Sequence, residues 1–330
     1  MKKLKTGVYG VNGHQISPFL EGNANIEFIA AACVPETFLN HFASYKAGKV
    51  KVYDSLDAML ENAGLDLVSL CSPRRADEAN DAIKALRAGV SVYAEKPCAI
   101  TEHELDAILA AEADSPAEFH EIADTAFAEP YLTAKALIER GEIGQVVQIY
   151  AQKSYPNNFA ARPEDSSVDG GITRQAGIHA ARFIEHVCGV RIADVRAFET
   201  TLGAPPEKPK LITAVSVAMT LENGGVASMC VNYFNPKAFG LWGNESLRVF
   251  GTKGVLEITD GGRRTHLWNE TGDCGEFSVS ETSPKPFLDQ ITDHLLYQTP
   301  LPFDRDTELH PLRAVIRMAE NAEKNKGEIV

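Results

Sequence analysis

The first 122 residues alternate short, almost wholly apolar runs with polar, helix-patterned segments, and few folds accept that rhythm. Ile26 to Cys33 and Leu67 to Cys71 are nearly unbroken apolar stretches. A strand with no polar face must be covered on both sides, as in a parallel sheet with helices packed over it. Six such strands are expected: Leu4 to Tyr9, Ile26 to Cys33, Val50 to Tyr53, Leu67 to Cys71, Val90 to Ala94 and Glu118 to Ile122. Helices are expected between them. One runs from the Gly10-Val11-Asn12-Gly13 turn to about Gly22, and others span Phe38 to Tyr45, an Asp54 cap to Asn62, Asp77 to Ala88, and Thr101 to Glu112. Thr101-x-x-Glu104 is a capping-box signature for the last of these. Alternation of this kind means an α/β fold with a doubly wound parallel sheet.

After residue 122 the rhythm changes. A helix is expected from Tyr131 to Arg140, then a strand from Val146 to Ser154. Asn157 to Gly171 reads as a polar loop, and Ile178 to Cys188 as a helix. Strands then follow one another, from Val195 to Trp268, with tight turn chemistry such as Asn223-Gly224-Gly225. Two helices close the chain, around Phe287 to Tyr297 and Leu312 to Lys324. The division expected is a dinucleotide-type domain over 1–122 and an α+β domain over 123–330 with one open, mostly antiparallel sheet. That division leaves room for the C-terminal helix to pack back on the first domain.

Composition narrows the partners. The 330 residues carry a formal charge of −13. An acidic surface repels phosphate backbones and anionic lipid, so neither nucleic acid nor membrane is an expected partner. No apolar stretch reaches the ~20 residues that span a bilayer. Lys2 and Lys3 are not followed by a signal-peptide apolar region, so a cytoplasmic location is expected. The six cysteines form no Cys-x-x-Cys pair and are read as reduced core thiols, with Cys33 and Cys71 inside strands. No clustered metal ligands are seen.

Three places carry chemistry. A Gly-x-Gly-x-x-Gly turn lets a backbone approach a pyrophosphate at a helix N-terminus. Here Gly10 holds the first position, Asn12 the second and Gln15 the third, with Gly13 as an extra glycine and His14 beside it. Asn tolerates a positive φ better than other non-glycine residues. Ala94-Glu95-Lys96-Pro97 stands at the carboxyl end of a strand, where open α/β sheets take ligands, and would point the Lys96 amine into the crevice. Gly170-Gly171 precedes Gln175 and His179, which are four apart and would share a helix face. A histidine is suited to proton transfer near neutral pH. Ser72-Pro73-Arg74-Arg75 follows a buried strand, and its arginines suit a phosphate or carboxylate.

Together these segments resemble the glucose–fructose oxidoreductase, inositol dehydrogenase and MocA (Gfo/Idh/MocA) family. The match adds Tyr53-Asp54-Ser55-Leu56, Ile138 to Gly144, Phe250-Gly251-Thr252-Lys253-Gly254 and the C-terminal helix before Val330. The resemblance implies a Rossmann domain, an open-sheet second domain and hydride transfer between NAD(H) or NADP(H) and a sugar, polyol or related carbinol or ketone. It places Lys96 by the nicotinamide and the reacting oxygen, and His179 in proton transfer. Gly10, Asn12, Gly13, His14, Gln15, Cys33, Ser72, Pro73, Arg74, Glu95 and Lys96 are the expected cofactor-binding residues.

The sequence departs from the family at Gln175, where an aspartate is usual. It departs also at Arg74 and Asp77, where asparagine and histidine are usual, and at Cys33-Val34-Pro35, where an acid usually meets the ribose. No arginine replaces that acid, so the reading leans slightly to NAD. Two other readings stand beside the dehydrogenase. One is a nicotinamide-binding protein with weak or lost activity, acting as a sensor or partner subunit. The other is a non-redox net reaction through transient oxidation. A homodimer or homotetramer is expected from the open sheet face.

Overall fold

The computed structural model describes residues 2–122, 124–277 and 285–325. The chain divides into two compact units, and neither is continuous in sequence. The first comprises Met1–Ile122, Ser167–Gly170 and Pro286–Asp304. The second comprises Ala123–Ser166, Gly171–Lys285 and Arg305–Val330.

The first unit holds a six-stranded sheet of β1 (Leu4–Tyr9), β2 (Ile26–Ala32), β3 (Lys51–Tyr53), β4 (Leu67–Leu70), β5 (Ser91–Ala94) and β6 (Phe119–Glu121). Their order is β3-β2-β1-β4-β5-β6, and every pairing is parallel. The sequence reading located all six strands; the signal is clearest for β4 and β5, which are buried at every residue, and weakest for β3, which exposes Lys51 and Val52. The expected helices condense to α1 (Glu36–Leu39), α2 (Ala43–Lys46), α3 (Leu56–Asn62), α4 (Glu78–Arg87) and α5 (Glu102–Ala113). The cap of α3 is Ser55, whose hydroxyl accepts the Ala58 N–H at 3.1 Å, and not Asp54. Thr101 and Glu104 form the expected capping box on α5.

One expectation fails. No α-helix follows the Gly10 turn, and the segment to Gly22 holds a single 3₁₀ turn, Ser17–Phe19. Gln15 fills the space beside the strand ends. Its amide nitrogen, with two hydrogens, lies within hydrogen-bond distance of the Tyr9, Gly10 and Ser69 carbonyls, and its oxygen accepts from the Ser69 hydroxyl and the Ile16 N–H. A glycine there would leave room for a helix to pack on the strands. The Gln15 side chain instead occupies the strand ends and ties the backbone into an irregular course.

Two later segments complete this unit. In α10 (Phe287–Tyr297), Phe287, Leu288 and Ile291 are buried. The Asn25 amide, just before β2, donates to Thr292 and Asp293, while His294 meets Glu118 just before β6 at 3.2 Å. A domain limited to 1–122 therefore lacks part of its own packing.

The second unit is built on an eight-stranded sheet. Its strands are β7 (Val146–Pro156), β8 (Ile192–Thr200), β9 (Ala214–Leu221), β10 (Val226–Asn235), β11 (Ser246–Gly251), β12 (Gly254–Thr259), β13 (Arg264–Asn269) and β14 (Gly272–Gly275). The order is β14-β13-β12-β11-β7-β10-β9-β8, antiparallel except for β7 with β10. Alternation in β9 and β10 buries every second residue, so one face is covered and the other presents Phe198, Val226 and Phe234.

Helices α6 (Tyr131–Glu139), α8 (Gly171–Gln175), α9 (Gly177–Arg182) and α11 (Arg305–Lys324) belong to this unit. A π turn, Phe183–Val187, continues α9. The final helix α11 packs on β8, so α10 and not α11 returns to the first unit. Residues 326–330, which the resemblance includes, lie outside the described residues. The family-like stretches 138–144 and 250–254 pack on each other: the Lys253 and Thr252 amides donate to the Ile143 and Gln145 carbonyls. The expected loop from 157 to 171 contains α7 (Ser166–Asp169), whose last residues join the first unit. Among the described residues no helix is long and apolar enough to cross a membrane, and no group of three ligating side chains could hold a metal ion.

Candidate active site

In the first unit the chain order reverses between β1 and β4. Open parallel sheets take ligands outside the carboxyl ends of such strands. The residues singled out from sequence stand at these ends. Gly10 follows β1 at φ +66°, and a Cβ there would lie 2.0 Å from the Cys71 carbonyl oxygen, so only glycine fits. Cys33 follows β2 at φ +53° and is exposed, a correction to the buried-strand reading. It stands one residue beyond the last paired position, where the chain leaves the sheet. Ser72 and Pro73 follow β4, and Glu95 and Lys96 follow β5.

The Gly10, Asn12, Gly13 and His14 amides donate within the chain. Asn12 N–H donates to the Cys71 carbonyl at 3.3 Å, Gly13 N–H to Val11, and His14 N–H to Glu95 Oε2 at 2.7 Å. His14 Nδ1 meets the other Glu95 oxygen at 3.3 Å, with the ring largely exposed. Lys96 Nζ lies 3.9 Å from Glu95 Oε1, and both side chains are buried. Burial is the largest influence on Glu95 and pushes its carboxyl up. The His14 hydrogen bond and the charges of Lys96, His14 and Arg75 outweigh it and hold the group below its ordinary range.

The basic turn divides its roles. The Arg74 guanidinium donates to the Ser167 hydroxyl at 2.6 Å. Arg75 turns inward, pairs with Glu78 at 2.9 Å and donates to the Asn12 carbonyl. Glu78 is buried, which raises its carboxyl to about 7 against the pull of Arg75. Ser72 is structural: its hydroxyl donates to Asp81 and its amide to Glu78. The Asn12 amide donates to the Pro73 and Val168 carbonyls. Gly170 explains why the second glycine signal exists. A Cβ there would lie 2.5 Å from Pro97 Cγ, so residues 167–170 press directly on the Lys96-Pro97 corner.

A nicotinamide dinucleotide fits this unit through its strand ends. The reversal point, the Gly10 cradle and the buried Lys96 supply what the topology requires. The helix N-terminus expected from sequence is absent.

In the second unit, Gln175 ends α8 and His179 lies in α9, with Ala176 interrupting the helix between them. They address different neighbours, against the expectation of a shared face. Gln175 Oε1 accepts from the Tyr233 hydroxyl at 3.5 Å. His179 Nδ1 lies 2.7 Å from Thr125 Oγ1, and its Nε2 lies 3.3 Å from the Tyr155 hydroxyl. The Arg162 guanidinium sits 5.3 Å from the Tyr155 ring centre and 4.6 Å from that of Tyr233. Lys153 lies 5.0 Å from the Tyr155 ring and is ion-paired with Glu245. Sequence reasoning missed Thr125, Tyr155 and Arg162. They are 54, 24 and 17 residues from His179 with no periodic relation to it, so no local spacing could join them.

Comparison with known proteins agrees with this architecture. Residues 9–121 match the model of an oxidoreductase family with an NAD-binding Rossmann fold. Residues 131–257 match the GFO/IDH/MocA C-terminal domain. An uncharacterised oxidoreductase of Bacillus subtilis, YrbE, is 26% identical over 239 residues, covering 71% of this chain and 66% of its own length, just under two thirds. A solved structure from Thermotoga maritima superposes with a TM-score of 0.87 at 23% identity over 98% of each chain. The aldose-aldose oxidoreductase of Caulobacter crescentus superposes at 0.81 with 18% identity, again over 98% of each. The two family models fall on the two sheets and leave the linking residues between them. The chain belongs to the Gfo/Idh/MocA family of NAD(P)-binding oxidoreductases.

Proposed function

We propose that this chain is an NAD(P)-dependent dehydrogenase or reductase acting on the carbinol or ketone of a sugar, polyol or similar small molecule. The observation that carries the reading is Lys96: an ammonium at the end of β5, 3% exposed, held beside the Glu95 carboxylate at the ligand-binding end of the sheet. A buried cation is costly unless it is paired and has a task. Lys96 polarises the substrate oxygen, and its charge favours the alkoxide over the alcohol. The strand-end positions from Gly10 to Gln15, with Cys33, Pro73 and Arg74, are proposed to line the coenzyme, while Ser72 and Glu95 brace that turn from behind. The nicotinamide, when bound, accepts or supplies the hydride.

The second unit supports a polyhydroxylated substrate. The exposed Trp242 offers an aromatic face beside the buried Tyr155, and Gln175, His179 and Arg162 are the polar groups near that tyrosine and the buried Tyr233. The aldose-aldose oxidoreductase among the structural neighbours is named for a sugar reaction, which supports the same class. Neither an acid nor an arginine stands in Cys33-Val34-Pro35, and Glu36 is the nearest carboxylate in sequence, so the lean is slightly to NAD.

The test is Lys96→Ala assayed with sugars and polyols by nicotinamide absorbance. Turnover is expected to fall at least about 100-fold, the scale of losing one acid–base group, while coenzyme affinity stays within a few-fold. Turnover equal to the native chain would remove Lys96 from the mechanism.

A further inference from the structure

A short segment from far along the chain, Ser167–Gly170, belongs to the first unit and lies against its strand-end turn. Two side chains hold this strap. The Asn12 amide donates to the Val168 carbonyl at 2.7 Å, and the Arg74 guanidinium donates to the Ser167 hydroxyl at 2.6 Å. The Asn12 amide also donates to the Pro73 carbonyl at 3.2 Å, which brings amide and guanidinium together at the reversal point between β1 and β4. The strap has little structure of its own. Its helix α7 is a single turn, and Gly170 and Gly171 follow at φ +90° and +73°. An isolated helical turn is unstable in water, and glycines change φ and ψ at low cost. The Gly10, Asn12, Gly13 and His14 amides already donate within the chain, so an anion at this turn must draw on side-chain donors. Asn12 and Arg74 are such donors, and the strap engages both. Both depart from the family pattern, Asn12 at a glycine position and Arg74 where asparagine is usual.

We infer that residues 167–170 are an internal ligand that competes with the coenzyme diphosphate for Asn12 and Arg74. The inference rests on the nicotinamide reading for the identity of that ligand, and it gives the free chain a means of lowering its own affinity. The Val168 carbonyl and the Ser167 hydroxyl are neutral acceptors. A diphosphate is anionic and meets a guanidinium through paired charge-assisted hydrogen bonds, each about twice as strong as a neutral one. The coenzyme therefore takes both donors when it is present, and the strap lifts from the turn. A site that is open for only part of the time binds with its intrinsic affinity reduced by the open fraction. The strap in this way sets the coenzyme concentration at which the chain loads.

Titration calorimetry with NAD and NADP, in the full chain and without substrate, reads the competition directly. Ser167→Ala removes a neutral acceptor and leaves Arg74 intact, so it should tighten coenzyme binding by about 3- to 10-fold. Arg74→Ala removes the donor itself and should weaken binding at least about 10-fold. In the Arg74→Ala background, Ser167→Ala should change nothing, because it acts only through that guanidinium. Amide hydrogen exchange gives an independent readout in the native chain: residues 167–170 should exchange faster with saturating coenzyme than without it. Ser167→Ala binding no tighter than native overturns the inference. So does an Arg74→Ala chain that binds as the native one does, or a strap whose exchange slows or holds its rate on binding. Inorganic diphosphate separates this inference from the reading it rests on. A native chain that binds neither coenzyme sinks the nicotinamide reading. If diphosphate still speeds exchange at 167–170, the competition stands without it; if diphosphate does not, the competition falls as well.

Discussion

At the scale of single residues, Glu95 and Gln15 decide the character of the first site. Gln15 replaces a helix with a side-chain plug at the strand ends. Glu95 then caps the amide that a helix would have left open, and it neutralises Lys96 from the buried side. A carboxyl held below its ordinary 4.5 binds fewer protons in the folded chain than in the unfolded one just below that value. Its stabilising contribution is complete above about pH 4.5 and declines as pH falls through the folded value. Glu95→Gln keeps an acceptor for His14 and removes the charge. The variant is expected to melt below the native chain at pH 7, with the gap narrowing as pH drops under about 4.5. Calorimetry from pH 3 to 8 checks this; a gap independent of pH would mean the charge contributes nothing.

At the scale of elements, the π turn Phe183–Val187 joins α9 to α11. His186, on that turn, is 2% exposed, and its Nε2 meets the Thr307 carbonyl in α11 at 2.9 Å. Burial, the largest cause, with the Arg182 charge beside it, drops the imidazole to about 3. The folded chain therefore keeps His186 neutral where the unfolded chain protonates it. Stability is lost as pH falls from about 6.5 towards about 3. At pH 4 the deficit is on the order of 3 kcal/mol, at about 1.4 kcal/mol for each unit between 6.5 and 4. His186→Gln can keep the bond to Thr307 and should flatten denaturant-measured stability between pH 4 and 7. An unchanged slope would place the acid sensitivity elsewhere.

At the scale of the whole molecule, the discontinuous first unit makes a claim about folding. Phe287, Leu288 and Ile291 are each almost fully buried, and each such burial is worth about 1.5–3 kcal/mol. Residues 1–122 expressed alone should therefore unfold at lower denaturant than the same residues joined by a flexible linker to 286–304. Equal midpoints would show that α10 contributes nothing to that core. Six strands, their parallel pairing and the change of rhythm near residue 122 were legible because strands alternating with helical segments are a local signal, clearest where a strand such as β4 is apolar throughout. The second sheet was legible as a run of alternating strands, but its single parallel pair, β7 with β10, was not, since pairing partners lie some 80 residues apart.

The sequence by itself determined the alternating architecture, the family and the positions at the strand ends, including Gly10, Glu95 and Lys96. These follow from periodicity and short motifs, which are properties of neighbours along the chain. Tertiary structure alone decided that the Gln15 amide displaces the first helix, that Gly170 is required by Pro97, that α10 completes the first unit, and that Tyr155 and Thr125 bracket His179. Each of those depends on groups remote in sequence meeting at hydrogen-bond or contact distance, and no periodic pattern encodes such a meeting.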